Sequence, residues 1–322
     1  MPMTILKNNP LKVVVMGTTD FAVPALEALI ASDFEVVCVV CQPDRPNGRG
    51  KKVRFLPMKQ KAVDAGIPVF QPEKVKTPDA VAYLQTLDAD FFVVAAYGQI
   101  LSQEVLDIPR LGCINIHGSI LPEYRGAAPI HHAIIEGRDE SGVTVMKMDA
   151  GMDTGDMLAI GRLPITDTTT VGEYHDALAA LGAKLLIPTL EVLVTGTITP
   201  MPQDNDKATY ADKIDKHTGE IDWSQPGRAI LRRINGTDPW PGAFTLFEGQ
   251  TMKCFGPELL PGGGDAAPGT VLSADKKHGL TVKTGDGILR LKAIQMPGKR
   301  RMASEDYLRG NAISVGTVLG IK

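Results

Sequence analysis

VVVMGTTDFAVPALEALIASDFEVVCVV, residues 13–40, is the stretch that decides the fold. Val13, Val14 and Val15 form a β-branched run of strand type, Phe21, Leu26, Leu29 and Ile30 follow as a helix pattern, and Val36 to Val40 is a second strand. This βαβ rhythm continues. Thr77-Pro78 reads as a cap followed by proline in the first turn of a helix. Phe91-Phe92-Val93-Val94 is a strand of the fully buried type, and Cys113 to Ile116 and Val143 to Met148 supply two more. Thr170 and Glu173 have capping-box spacing at the start of a long helix, which Pro188 should kink or divide. The pattern predicts an α/β domain over residues 1–196: a mostly parallel, Rossmann-like sheet flanked by helices.

From Thr197 the sequence turns polar and proline-rich without an apolar period, so residues 197–208 read as a linker. Short strand candidates separated by glycine-containing turns then follow at Ala243 to Phe247, Thr251 to Phe255, Gly269 to Ser273, Leu280 to Lys283 and Ile288 to Ile294. They predict a small antiparallel, OB-like β-barrel over residues 209–322.

The composition, 43% hydrophobic and 22% charged, is ordinary for a soluble protein, and no apolar run approaches the ~18 residues of a membrane span. Met1 to Pro10 fits neither a signal peptide nor a transit peptide, so the expected setting is the cytoplasm, with no membrane partner and no obligate protein partner evident. Four scattered cysteines make no disulfide framework. Cys38 and Cys41 have the spacing of a zinc or redox pair, but a strand sends them to opposite faces, and they read as buried strand residues. The net charge of −3 divides unevenly: residues 1–204 carry −7 and residues 205–322 carry +4. A basic carboxyl-terminal part suits a polyanionic partner and equally a solvated surface.

Gly17-Thr18-Thr19-Asp20 lies between a strand and a helix, where α/β proteins bind ligands, yet it lacks the further glycines of a dinucleotide fingerprint. Asn115-Ile116-His117 at the end of a strand is sharper. Residues two apart share a face, so an amide and an imidazole stand together at the ligand edge of the sheet. In the glycine-rich turn 151–156, the neighbouring carboxylates Asp149, Asp153 and Asp156 could serve as base, metal ligand or turn former. No phosphate loop with a lysine accompanies them, and no metal is expected. His131 and His132 follow Pro129 on a helix and read as structural or peripheral.

Asn115-Ile-His117, Ser119-Ile-Leu-Pro122, Arg125-Gly-Ala-Ala-Pro129 and Met152-Asp-Thr-Gly-Asp-Met157 together resemble the motifs of the formyltetrahydrofolate-dependent formyltransferases. The resemblance runs end to end, through residues 41–52, Pro239-Trp240-Pro241-Gly242, residues 284–291 and residues 297–300, in the branch whose acceptor is the methionine of initiator methionyl-tRNA. Two departures are Ile120, where the family usually has leucine, and Asp238, commonly asparagine.

The resemblance implies that 10-formyltetrahydrofolate is the formyl donor and that Asn115, His117 and Asp153 are catalytic. It puts Ser119, Ile120, Leu121 and Pro122 in the folate site and gives Arg45, Arg49, Lys51 and Lys52, on a basic stretch from Gln42 to Lys59, to the tRNA. Asn115 and His117 would donate hydrogen bonds to the oxyanion that develops during transfer, and Asp153 would orient His117 or a water and help move the proton. Three rivals share these groups or this fold: a formyltransferase for another amine, a hydrolase releasing formate, and a non-catalytic RNA-binding protein. The linker and the basic carboxyl-terminal part count against the first, and the intact trio against the last.

Overall fold

The computed structural model describes residues 10–45 and 55–320. The chain divides into two compact units, one comprising Met1–Gly126, Gly142–Leu163 and His175–Tyr210, the other Ala127–Ser141, Pro164–Tyr174 and Ala211–Lys322.

The first unit is built on a seven-stranded sheet. Its strands are β1 (Lys12–Gly17), β2 (Glu35–Val40), β3 (Val69–Phe70), β4 (Phe91–Ala95), β5 (Gly112–His117), β7 (Glu140–Lys147) and β8 (Met157–Pro164). The two-residue segments β6 (Arg125–Gly126) and β9 (Tyr210–Ala211) lie outside it. The order is β3-β2-β1-β4-β5-β7-β8. β1, β2, β3, β4 and β5 are parallel, whereas β7 runs antiparallel to β5. This is the expected mostly parallel, Rossmann-like sheet.

β4 is buried along its whole length, and β1 is buried after its first residue. That explains their uninterrupted apolar runs: a strand covered on both faces has no polar side to alternate with. The chain leaves β1 towards β2 on one side and β4 lies on the other, so the order reverses between β1 and β4. The carboxyl ends around such a reversal are where open α/β sheets bind ligands.

The helices Pro57–Asp64 and Pro78–Thr86 each place proline in the first turn, as read for the second. Thr77, however, sends its hydroxyl back to the Lys74 carbonyl at 3.1 Å instead of capping. Thr170 and Glu173 do form the capping box: Glu173 N–H donates to Thr170 Oγ1 at 3.3 Å, and Thr170 N–H donates to Glu173 Oε2 at 3.2 Å. The Thr170 hydroxyl and N–H together hold the Glu173 carboxyl below its ordinary range.

The helix that follows, Val171–Thr195, runs on through Pro188 as one element, so the expected division there does not occur. By length and composition it could cross a membrane. Here it buries Leu178, Leu186 and Leu190 completely. Gly182 lets it lie close on the sheet, because a Cβ there would come within 2.6 Å of Ile116 Cγ2. Ile116 points away from the face that carries Asn115 and His117, which leaves that face clear of this helix.

In the second unit, β10 (Phe244–Phe247), β11 (Gln250–Leu260), β12 (Val271–Asp275), β13 (Gly279–Lys283), β14 (Ile288–Gln295) and β15 (Met302–Ala303) make an antiparallel sheet. Its order is β10-β11-β14-β13-β12, with β15 also on β14, and it curls in barrel fashion as expected. A segment not read from the sequence joins its edges: Val271 N–H donates to Thr317 O at 2.8 Å and Gly320 N–H donates to Leu246 O at 2.9 Å. Residues 317–320 thus occupy backbone groups that open sheet edges would leave unpaired. The core includes Trp223, Ile234, Met252, Leu280, Leu289 and Leu291.

Candidate active site

β5 delivers Asn115 and His117 at its carboxyl end. Asn115 sits between Val94 of β4 and Met146 of β7, and His117 sits opposite Thr144 of β7. Only 6% of His117 is exposed. Its Nε2 lies 2.9 Å from the Tyr124 carbonyl. A carbonyl only accepts, so Nε2 carries the proton and donates it there, and in the neutral ring Nδ1 bears the lone pair. Nδ1 faces Asp153 Oδ1 at 3.7 Å, which is ion-pair range but longer than a hydrogen bond.

Asp153 stands on the turn after β7. It adopts a left-handed φ of 55°, which aspartate tolerates better than most residues. Its Oδ2 accepts the Gly126 N–H at 2.8 Å, and its Oδ1 lies 3.5 Å from Asn115 Nδ2. Amide, imidazole and carboxylate from two separate strand ends therefore meet around Asp153 Oδ1.

The two other carboxylates of this turn stand differently. Asp149 Oδ1 accepts the Gly151 N–H at 3.0 Å and the Thr154 hydroxyl at 2.6 Å, which makes it a turn former. Asp156 gives its backbone carbonyl to Lys147 N–H at 2.9 Å. Gly155 must be glycine: a Cβ there would sit 1.8 Å from the Lys147 carbonyl oxygen.

Ser119 to Pro122 are anchored by Thr144, itself fully buried. The Thr144 hydroxyl donates to Ser119 O at 2.7 Å and accepts the Leu121 N–H at 3.1 Å. Ser119 Oγ donates to Glu123 O at 2.6 Å, and Pro122 O accepts the Thr209 N–H at 3.3 Å. Ser119 and Leu121 are buried, whereas Ile120 and Pro122 are half-buried. The segment therefore offers apolar surface from Ile120 and Pro122, while its backbone groups are largely engaged within the chain.

Of the basic residues, Arg45 is exposed, 3.4 Å from the equally exposed Glu73. Arg49, Lys51 and Lys52 lie outside the described residues. Lys59 is not a free cation: it pairs with Asp44, and its ammonium donates to Gln71 Oε1 at 2.8 Å. Cys38 and Cys41 are fully buried, and burial pushes both thiols up to about 11. His132 bonds Glu136 Oε1 and the Asp212 carbonyl, each at 3.1 Å, in keeping with a structural reading.

Sequence reasoning missed Thr144 and Gln203. Gln203 Nε2 donates to the carbonyls of Asp153 and Gly155, both at 2.7 Å. Nothing in the local pattern marked either residue. Gln203 in particular lies in the proline-rich stretch that reads as a linker.

The family model described as formyl transferase matches residues 11–190, and the one described as formyl transferase, C-terminal domain, matches residues 213–312. A Rossmann-like sheet bearing this site, followed by a curled antiparallel sheet, thus defines a two-domain formyl transferase. Methionyl-tRNA formyltransferase from Acetivibrio thermocellus is 48% identical over 96% of this chain and 100% of its own, and that from Thiobacillus denitrificans is 48% identical with the same coverage. The chain belongs to the methionyl-tRNA formyltransferase family.

Among solved structures, the N-formyltransferase from Helicobacter canadensis, in complex with folinic acid and dTDP-3-aminofucose, superposes with a TM-score of 0.66. It is 18% identical and covers 91% of this chain and 100% of its own. HypX from Aquifex aeolicus in complex with tetrahydrofolic acid has a TM-score of 0.64 at 17% identity. That match covers 92% of this chain, which spans only 46% of HypX. These likenesses extend the fold.

Proposed function

We propose that this enzyme transfers the formyl group of 10-formyltetrahydrofolate to the α-amino group of methionyl-initiator tRNA, with Asn115, His117 and Asp153 as its catalytic residues. The substrates follow from its family. The observation that carries the residue assignment is the meeting of Asn115 Nδ2 and His117 Nδ1 at Asp153 Oδ1, within 3.5 and 3.7 Å. In this reading residues 1–196 are the catalytic domain, 197–208 the connection, and 209–322 the domain that holds the tRNA backbone, and the protein works in the cytoplasm beside charged tRNA.

The half-buried apolar surfaces of Ile120 and Pro122 suit a flat folate ring. When bound there, 10-formyltetrahydrofolate supplies an electrophilic formyl carbon on a leaving N10. The rest is the work of the chain. Asn115 Nδ2 donates to the formyl oxygen as it gathers negative charge, a contribution of ~10²–10³ in rate for one such donor.

His117 takes a different part from the one expected of it. Its Nε2 proton is committed to Tyr124 O, so the open Nδ1 accepts a proton before it can donate one. Nδ1 takes the proton that the attacking amine sheds and passes one to the departing nitrogen, general acid–base work worth ~10²–10⁴. Asp153, held by Gly126 N–H, stabilises the imidazolium in between. The demand on this base is modest, because a free α-amino group has a pKa of ~7.7–8.0 and is partly neutral at pH 7. Arg45, Arg49, Lys51 and Lys52 meet the acceptor-stem backbone, where each phosphate contact releases counterions.

The test is to incubate the full chain with formyl-labelled 10-formyltetrahydrofolate and a panel of charged tRNAs, elongator methionyl-tRNA included. Label in N-formylmethionine on the initiator tRNA alone supports the reading. Free formate released at a comparable rate without tRNA would replace it with a hydrolase.

A further inference from the structure

The buried guanidinium of Arg125 has no part in the chemistry above. It is 2% exposed, and among the described residues its side-chain partners are amide oxygens and not carboxylates. Nε and Nη2 donate to Gln203 Oε1 at 3.1 and 2.8 Å, and Nη2 also donates to Asn205 Oδ1 at 2.7 Å. Arginine only donates, which fixes which end of the Gln203 amide faces it. The other end, Nε2, must then face outward, and it donates to the carbonyls of Asp153 and Gly155, both at 2.7 Å.

Residues 124–126 thus reach both halves of the trio. Tyr124 O holds His117 Nε2, Gly126 N–H holds Asp153 Oδ2, and Arg125 between them holds the Asp153 backbone through Gln203. The turn needs such a brace, because Asp153 sits in the left-handed region, which persists only where surroundings over-determine it. A buried charge facing only neutral partners is a poor stabilising device, since its desolvation opposes the gain. It is a good registering device, because a planar fork accepts one geometry.

We infer that Arg125 and Gln203 are positioning residues for the transfer: together they fix the 153–155 backbone so that the Asp153 carboxylate stays on Gly126 N–H and beside His117 Nδ1. The inference rests on the catalytic reading of Asp153.

Gln203→Glu separates positioning from plain stability. It gives Arg125 a carboxylate, which strengthens that contact, but removes the two donors to the Asp153 and Gly155 carbonyls. The experiment measures kcat, both KM values, the pH dependence of kcat and the unfolding temperature for Gln203→Glu, Gln203→Ala, Asp153→Asn and Asp153→Asn/Gln203→Ala. Expected is a fall in kcat of about 10- to 100-fold for both Gln203 variants, the size of effect a ~1 Å misplacement produces. KM should change little, the pH profile should be altered, and Gln203→Glu, which keeps the Arg125 contact, should lose less in unfolding temperature than Gln203→Ala. In the Asp153→Asn background, Gln203→Ala should cost little more, because both changes act through one group. If Asp153→Asn lowers kcat while Gln203→Glu leaves it unchanged, or if the two losses simply multiply, the positioning role is overturned and the catalytic reading stands. If Asp153→Asn leaves kcat intact, both fall together.

Discussion

Replacing Asp153 by asparagine tests the electrostatic part of the mechanism with little change of shape. The amide keeps an oxygen for Gly126 N–H, so the 2.8 Å contact that seats the side chain survives. What disappears is the negative charge 3.7 Å from His117 Nδ1. With an effective dielectric of ~20, suited to side chains only 6% and 17% exposed, that charge stabilises a full imidazolium by about 4 kcal/mol. If the proton is half transferred at the transition state, the loss is about 2 kcal/mol. At ~1.4 kcal/mol per tenfold, kcat should fall between about 30- and 1,000-fold. On the proposed role the loss belongs to kcat, because the charge acts only as the proton moves. Quench-flow formylation of initiator methionyl-tRNA, with both substrates saturating and then each varied, separates the terms. A loss under about threefold, or one carried wholly by KM, refutes the argument that Asp153 acts on the imidazolium.

Neutralising Arg49, Lys51 and Lys52 together should weaken tRNA binding and flatten the slope of log affinity against log salt by about two to three units, with folate binding unchanged; an unaltered slope removes these residues from the interface. Asp90 is 3% exposed, accepts the Lys12 N–H at 2.8 Å and the Arg110 Nε–H at 2.9 Å, and directly precedes β4. Asp90→Ala removes both hydrogen bonds and leaves the Lys12 N–H without its acceptor, so it should destabilise the first unit by about 2 kcal/mol in denaturant titration, with little effect on the kcat of the folded enzyme. Burial raises Cys38 and Cys41 to about 11 and Cys113 to about 12 from an ordinary 9.0, so the folded chain keeps protons that an unfolded one releases. Their contribution to stability is complete below pH 9 and is lost as pH rises through 11 to 12, and native thiol labelling at pH 8 should be negligible until denaturant is added.

What the sequence disclosed follows from periodicity and local chemistry. β1, β2, β4 and β5 are legible because buried parallel strands read as continuous apolar runs, and Thr170 with Glu173 because a capping box is a four-residue affair. Asn115 and His117 were paired by the two-residue repeat of a strand. The tautomer of His117 was not legible, since it depends on a carbonyl seven residues later that a turn folds back. Gln203 was hidden for the opposite reason: its segment has the composition of a loose connection, yet Met201 bridges Met157 and Gln203 braces the Asp153 turn. Closure of the second sheet by residues 317–320 was missed because pairing with Val271 and Leu246 is wholly long-range. Asp238, read as a local departure, is a buried carboxylate whose two oxygens take Arg301 Nη1 at 2.9 Å each, an ion pair that asparagine would not make.

The most direct measurement takes His117→Ala and Asn115→Ala, each beside the unaltered chain, and compares the single-turnover rate of formylation with the equilibrium dissociation constant of initiator methionyl-tRNA. The expected result is a rate at least about 100-fold lower in each variant with tRNA affinity within about twofold of the parent. Rate and affinity declining by the same factor, or a rate left near the parent value, would contradict it.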